Sequence, residues 1–195
     1  MLSDMYLNNI DNEDIKKLPL RSFPGKIILI DRMKDFDRYI EVIQKESLWG
    51  FDTETRPAFR KGITNMPALV QLANSAYAFL FRLNRIGFPK RLMDVLSNRA
   101  IQKIGVALHD DLKDLALYEE FKPEGFIDLQ KIAGNYGIES RALSKLTAIV
   151  LKFRISKSQR VTNWENHNLT EAQLKYAATD AWVCYEIYLE LMKQK

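Results

Sequence analysis

Leu48-Trp49-Gly50-Phe51-Asp52-Thr53-Glu54 reads as a short β-strand, and the fold follows from how its two faces are used. A period of two puts Trp49 and Phe51, with Thr53 in the same register, on one face of that strand. Asp52 and Glu54 then share the other face. Two carboxylates side by side on a half-buried sheet repel, so one takes up a proton unless a cation intervenes. A divalent metal resolves that conflict, and a solvated pair on an outer strand is the plain alternative for Asp-x-Glu taken alone.

Outward from this strand the apolar residues switch between strand and helix periods. Ahead of it, 27–30 is a short apolar run suited to an edge strand. Phe36, Tyr39, Ile40 and Ile43 then recur at the i, i+3, i+4, i+7 spacing of an amphipathic helix. Behind it, 68–74 and 77–81 are β-like and close enough to favour adjacent antiparallel pairing over crossovers. The spacing next predicts a helix over 90–96, a strand over 101–108, a helix over 111–118 and a short strand over 126–128. The remainder reads as helix at 129–133, 142–151 and from Thr170 to about Lys193. The last is opened by a capping box, Thr170 with Gln173 three residues on. The expected fold class is α/β, a mixed β-sheet flanked by α-helices.

A chain of 195 residues, 47% of them hydrophobic, is the size of one well-buried domain. Residues 1–24 are polar, with Asp4, Asp11, Glu13 and Asp14 scattered through them. They read as an amino-terminal arm or loosely docked extension ahead of a compact domain over 25–195. A net charge of +4 and a pI near 9.0 suit a phosphate-rich partner but fall far short of a histone-like binder. Cys184 is a single cysteine, which leaves no disulfide framework or zinc cluster to build and points to a cytoplasmic protein. The longest apolar runs, such as 76–81, are far too short to span a bilayer, so no membrane partner is expected.

Two further acidic positions lie far along the chain. Tyr176 and Asp180 are four apart on the last helix and project from one side, among the small residues Ala177, Ala178, Thr179 and Ala181. A tightly packed helix with an outward Asp is the structural alternative. In Ile104-Gly105-Val106-Ala107-Leu108-His109-Asp110-Asp111-Leu112 a strand ends in acids at a helix start, where either aspartate is suited to capping.

Taken together, three stretches resemble the three ordered exonuclease motifs of the DEDD superfamily, in its tyrosine-bearing subgroup. They are Phe51-Asp52-Thr53-Glu54-Thr55, Asp111 after the strand carrying Gly105, and Tyr176-Ala177-Ala178-Thr179-Asp180. Asn65-Met66-Pro67-Ala68-Leu69-Val70-Gln71-Leu72 and Asn163-Trp164 extend the resemblance, which runs from about Lys26 to the carboxyl end. It is nearest in appearance to ribonuclease D and Werner-type exonuclease domains. Position 175 is Lys where the histidine-bearing subgroup has His. Asp111-Leu112 followed by Leu115 fits the family's helix register, leaving Asp110 as a cap or supporting group.

The resemblance implies a ribonuclease-H-like fold and a metal-dependent 3'-5' exonuclease. Its partner would be a nucleic acid with a single-stranded 3' end or a recessed duplex end. Its cofactors would be two divalent cations, Mg2+ or Mn2+, which suit oxygen ligands. Asp52 would bridge both ions, Glu54 and Asp180 would complete the water-activating site, and Asp111 would help hold the second ion. Tyr176, as a phenol with an ordinary pKa near ~10, would orient the attacking water rather than take its proton.

Two basic stretches are candidate strand contacts. Arg56, Phe59, Arg60 and Lys61 follow the first motif, where cations can meet phosphates and Phe59 can stack on a base, or the loop is simply solvated. Lys157 and Arg160 belong to the acid-free run 152–160 just before Asn163-Trp164, and are expected to touch the backbone. Trp164 reads as core or support. Three competing classes are a binding module on the same fold, an endonuclease or recombination enzyme on a related scaffold, and an α/β scaffold protein with solvated acids. The complete acid set argues against the first and the Tyr-x-x-x-Asp helix against the second.

Overall fold

The computed structural model describes residues 6–58 and 65–193. In chain order the elements are α1 (Asn12–Lys17), β1 (Lys26–Ile30), α2 (Met33–Lys45), β2 (Leu48–Thr55), β3 (Pro67–Ala73), β4 (Tyr77–Arg82) and α3 (Leu83–Ile86). There follow α4 (Lys90–Ser97), β5 (Gln102–Gly105), α5 (Leu108–Leu115), β6 (Phe126–Asp128), α6 (Leu129–Gly134), α7 (Leu143–Leu151) and α8 (Glu171–Met192). Among the described residues six strands form one sheet in the order β1-β4-β3-β2-β5-β6. β2, β3 and β4 pair antiparallel as their short connections require, whereas β1, β5 and β6 join in parallel. The expected α/β class, a mixed sheet flanked by helices, is the fold observed.

Each face of the sheet carries its own core. Trp49, Phe51, Val70, Leu72, Phe79 and Phe81 pack against α2, α4 and α5. On the other face Leu69, Ala73 and Leu80 meet Ala177, Ala178, Ala181 and Val183 of α8. Small residues on α8 let it lie close over the strands, as at Gly50, where a β-carbon would overlap the Ala181 carbonyl oxygen. The capping box is formed in full, the Thr170 hydroxyl accepting from the Gln173 amide and the Gln173 side chain accepting from the Thr170 amide.

Three sequence expectations need correction. The strand expected over 101–108 ends at Gly105, and the helix expected from 111 begins at Leu108. The chain turns sharply between them because Ala107 is left-handed (φ 56°), while the Leu108 side chain fills the space a β-carbon on Gly105 would need. Neither Asp110 nor Asp111 caps that helix: both lie inside its first turn, and the N-cap is Ala107. The described part of the amino-terminal arm is docked rather than loose. It forms α1, buries Ile15 and Phe23, bridges Leu20 to Arg154, and donates the Phe23 N–H to Thr179 Oγ1 at 3.0 Å.

Candidate active site

β2 and α8 bring the carboxylates together. Asp52, Glu54 and Asp180 each offer an oxygen, and these oxygens lie within 4.8 Å of one another. The strand's period puts Asp52 and Glu54 on the α8 face, and the close contact of Gly50 with Ala181 brings Asp180 down onto them. Glu54 and Asp180 are buried, and Asp52 is partly open to the pocket.

Burial sets the electrostatics. Among the described residues none of the three carboxylates takes part in a salt bridge. Burial first, then Asp180 and Asp111, push Asp52 well above the usual carboxylate range. Burial first, then Asp52, Asp180 and Asp111, push Glu54 up to about 10. Asp180 rises to about 7 by burial, partly offset by the phenol of Tyr176 one turn earlier. Asp180 Oδ1 is buried without any hydrogen-bond partner among the described residues. An orphaned carboxylate oxygen inside a cluster of all-oxygen donors fits a hard divalent cation such as Mg2+ or Mn2+.

Asp111 stands beside this cluster rather than in it. Its Oδ1 accepts from Thr53 Oγ1 at 2.5 Å, and its carboxyl is raised to about 6, by burial first and against the lowering effect of that bond. Tyr176 is buried beside Trp164, their ring centroids 6.0 Å apart, so Trp164 supports the phenol from the core as expected. Burial, then Asp180 and Glu54, raise the Tyr176 phenol far above its ordinary value and keep it neutral. Such a group can donate or accept a hydrogen bond but cannot act as a base near neutral pH.

The basic candidates divide. Lys157 and Arg160 line the same pocket of about 240 Å3 as Asp52, Tyr176 and Asp180. Lys152 and Arg154, from the same run, turn instead toward the amino-terminal segment, Lys152 over the Tyr6 ring and Arg154 donating to the Leu18 carbonyl. Arg56 pairs with Glu165 at 3.1 Å, on the segment leading into α8. Phe59, Arg60 and Lys61 lie outside the described residues.

Two residues near the cluster escape sequence reasoning about the site. Thr53 holds Asp111 by its hydroxyl. Gln71, directly across the ladder from Asp52, is fully buried, and neither amide atom is hydrogen-bonded among the described residues. Its signal is a lone amide in the otherwise apolar strand Pro-Ala-Leu-Val-Gln-Leu-Ala.

A family profile described as 3'-5' exonuclease matches residues 27–195. The chain is 33% identical over 184 residues to the mouse bifunctional 3'-5' exonuclease/ATP-dependent helicase WRN, across 89% of this chain and 13% of that protein. It is 32% identical over 157 residues to ribonuclease D of Haemophilus influenzae, across 77% of this chain and 38% of that one. The chain therefore spans well under half the length of either relative. Among solved structures, the Aedes aegypti Nibbler EXO domain superposes with a TM-score of 0.81 at 21% identity, covering 89% of this chain and 92% of that domain. At that identity the likeness is one of fold.

Proposed function

The chain belongs to the 3'-5' exonuclease family, and on that premise we propose that it shortens a nucleic-acid strand from its 3' end by metal-assisted phosphodiester hydrolysis. The observation that carries this reading is the convergence of Asp52, Glu54 and Asp180, distant in sequence, to within 4.8 Å. These three, with Asp111 alongside, are the residues to hold two divalent cations, Mg2+ or Mn2+. Cations there would lower the pKa of a bound water and offset charge on the phosphate.

The chain's own groups do the rest. Tyr176, held neutral by burial and by Asp180 and Glu54, orients the attacking water through its hydroxyl. Lys157 and Arg160, on the wall of the same pocket, hold the phosphate backbone against the acids. The water oxygen bonds to phosphorus as the bond from phosphorus to the leaving sugar oxygen breaks, and a proton ends on that oxygen. The partner is a strand with a single-stranded or recessed 3' end. The salt bridge from Arg56 to Glu165 ties the end of β2 to the segment leading into α8.

The test is a time course on end-labelled single-stranded and recessed duplex DNA and RNA, with Mg2+, Mn2+ or EDTA. The expected result is a ladder shortening from the 3' end with either metal and none with EDTA. A strand left intact under both metals, or shortened from its 5' end, rules the proposal out.

A further inference from the structure

A second cleft, of about 290 Å3, shares Tyr176 and Ser156 with the carboxylate pocket. One wall is α8, presenting Lys175 and Tyr176; another holds Ser156 and Ser158; the third is the amino-terminal segment, presenting Leu20 and Arg21. None of the described residues lining it is acidic. Its volume lies at the small end of ligand pockets, which run from about 300 to 1,000 Å3, and suits one nucleotide unit.

The wall made by the amino-terminal segment is fixed in place. Leu20 bridges Arg154, the Arg21 N–H donates to the Arg154 carbonyl at 2.9 Å, and Arg154 Nε donates to the Leu18 carbonyl at 3.1 Å. The Arg21 guanidinium lies 5.4 Å from the centroid of the Phe153 ring, which itself stacks on Trp182. A cation held this way loses little freedom on meeting an anion. Leu20 leaves 55% of its surface exposed, an apolar group at the mouth of a cationic cleft. That pairing, an apolar platform beside two cations, matches the two halves of a nucleotide.

We propose that this cleft is a nucleotide subsite, in which Arg21 and Lys175 hold a backbone phosphate while Leu20 and the Tyr176 ring pack the adjoining base. The inference rests on the exonuclease reading for the identity of its ligand and extends it. A strand with one phosphate at the carboxylates passes Tyr176 into the cleft. The cations Arg160, Lys157, Lys175 and Arg21 then line the two joined pockets in which it lies. Base contacts of this kind are sequence-tolerant, because every base offers a flat face.

The experiment is fluorescence anisotropy of a labelled single strand of about 12 nucleotides on the full chain in EDTA, which separates binding from cleavage. It is read over a salt series from about 50 to 200 mM. Arg21→Ala, Lys175→Ala and the double variant are compared with Lys34→Ala on α2 as a charge control. Thermal melting confirms that each is folded, and the exposed Lys175 tests the site independently of the packing around Arg21.

The double variant is expected to bind the strand about tenfold more weakly and to flatten the log–log salt slope by about 0.7, one phosphate contact's worth. Competition by a nucleoside 5'-monophosphate that also depends on Arg21 would identify the occupant as the released nucleotide. Its absence would identify it as the strand itself. Affinity and slope equal to the parent chain in folded variants would overturn the subsite. Binding through Arg21 and Lys175 by a chain that degrades nothing would sink only the exonuclease reading, whereas cleavage with binding indifferent to both residues sinks the subsite alone.

Discussion

Gly50 on β2 faces the main-chain carbonyl of Ala181 on α8 so closely that a β-carbon at position 50 would overlap the oxygen and crowd the Tyr185 amide. Strand and helix thus meet backbone to backbone, two residues before Asp52 and one after Asp180. Gly50→Ala finds no flexible side chain to displace, so α8 has to move. The expected cost is about 1–3 kcal/mol, or roughly 2–4 °C of Tm for each kcal/mol in a chain of this size. The same movement draws Asp180 away from Asp52 and Glu54, so stabilisation by Mn2+ should disappear as well. A variant melting like the parent and still gaining stability from Mn2+ would disprove the link between this contact and the acid cluster.

The acids also make stability depend on pH in a definite direction. Asp111 sits at about 6, Asp180 at about 7 and Glu54 at about 10, each above its ordinary value. Between the unfolded and folded values the folded chain binds more protons, so the slope of stability against pH is negative. The stabilising contribution is fully present below about pH 4 and is lost as pH rises through the folded values of Asp111 and Asp180. In EDTA the Tm should therefore fall between about pH 5 and pH 8. Mn2+ should raise it more at the higher pH, because cation binding there displaces fewer protons. A Tm that climbs over this range without metal would contradict the assignment.

Asp180→Asn separates fold from function. The amide keeps the shape of the side chain and removes one of the mutually repelling carboxylates, so the metal-free variant should melt above the parent near neutral pH. With a cation ligand lost, exonuclease turnover should drop on the order of 10^3-fold, and Asp52→Ala should abolish it with the fold intact. Circular dichroism and the end-labelled time course check both halves. Near-normal turnover in either purified variant would remove these residues from the site.

How far the sequence reaches depends on whether the deciding contact is local. Asp52 with Glu54, and Tyr176 with Asp180, are legible because a strand's period of two and a helix's i, i+4 spacing are properties of the backbone itself. The start of α5 is not, since alanine gives no sign of the left-handed turn at Ala107. The docking of the amino-terminal segment is equally silent. Ile15 and Phe23 are too sparse to show a period, and their burial depends on Thr179 and Arg154, distant in the chain. Lys103 reads as a polar strand residue, yet it is fully buried with its ammonium donating to the carbonyls of Val95, Asn98 and Ile101 at 2.7 to 3.1 Å.

Thr53→Val tests whether the Thr53 hydroxyl supports Asp111, and Asp111→Asn, measured beside it, tests Asp111 itself. The substitution keeps the volume of the side chain and deletes the hydroxyl that donates to Asp111 Oδ1 at 2.5 Å. That bond lowers the Asp111 pKa against burial, so without it the carboxyl should titrate above its present value of about 6. A carboxyl protonated over more of the neutral range and free to turn is a poorer ligand. Removing such a supporting bond typically costs about 10–100-fold in metal affinity. Mn2+ titration by calorimetry near pH 7 should show that loss and should recover part of it at higher pH, where Asp111 ionises again. Asp52, Glu54 and Asp180 stay in place, so the fold and the metal-free melt should change by about 1–2 kcal/mol at most. Mn2+ binding identical to the parent's across this pH range would mean that the bond from Thr53 does not support Asp111 in holding the cations.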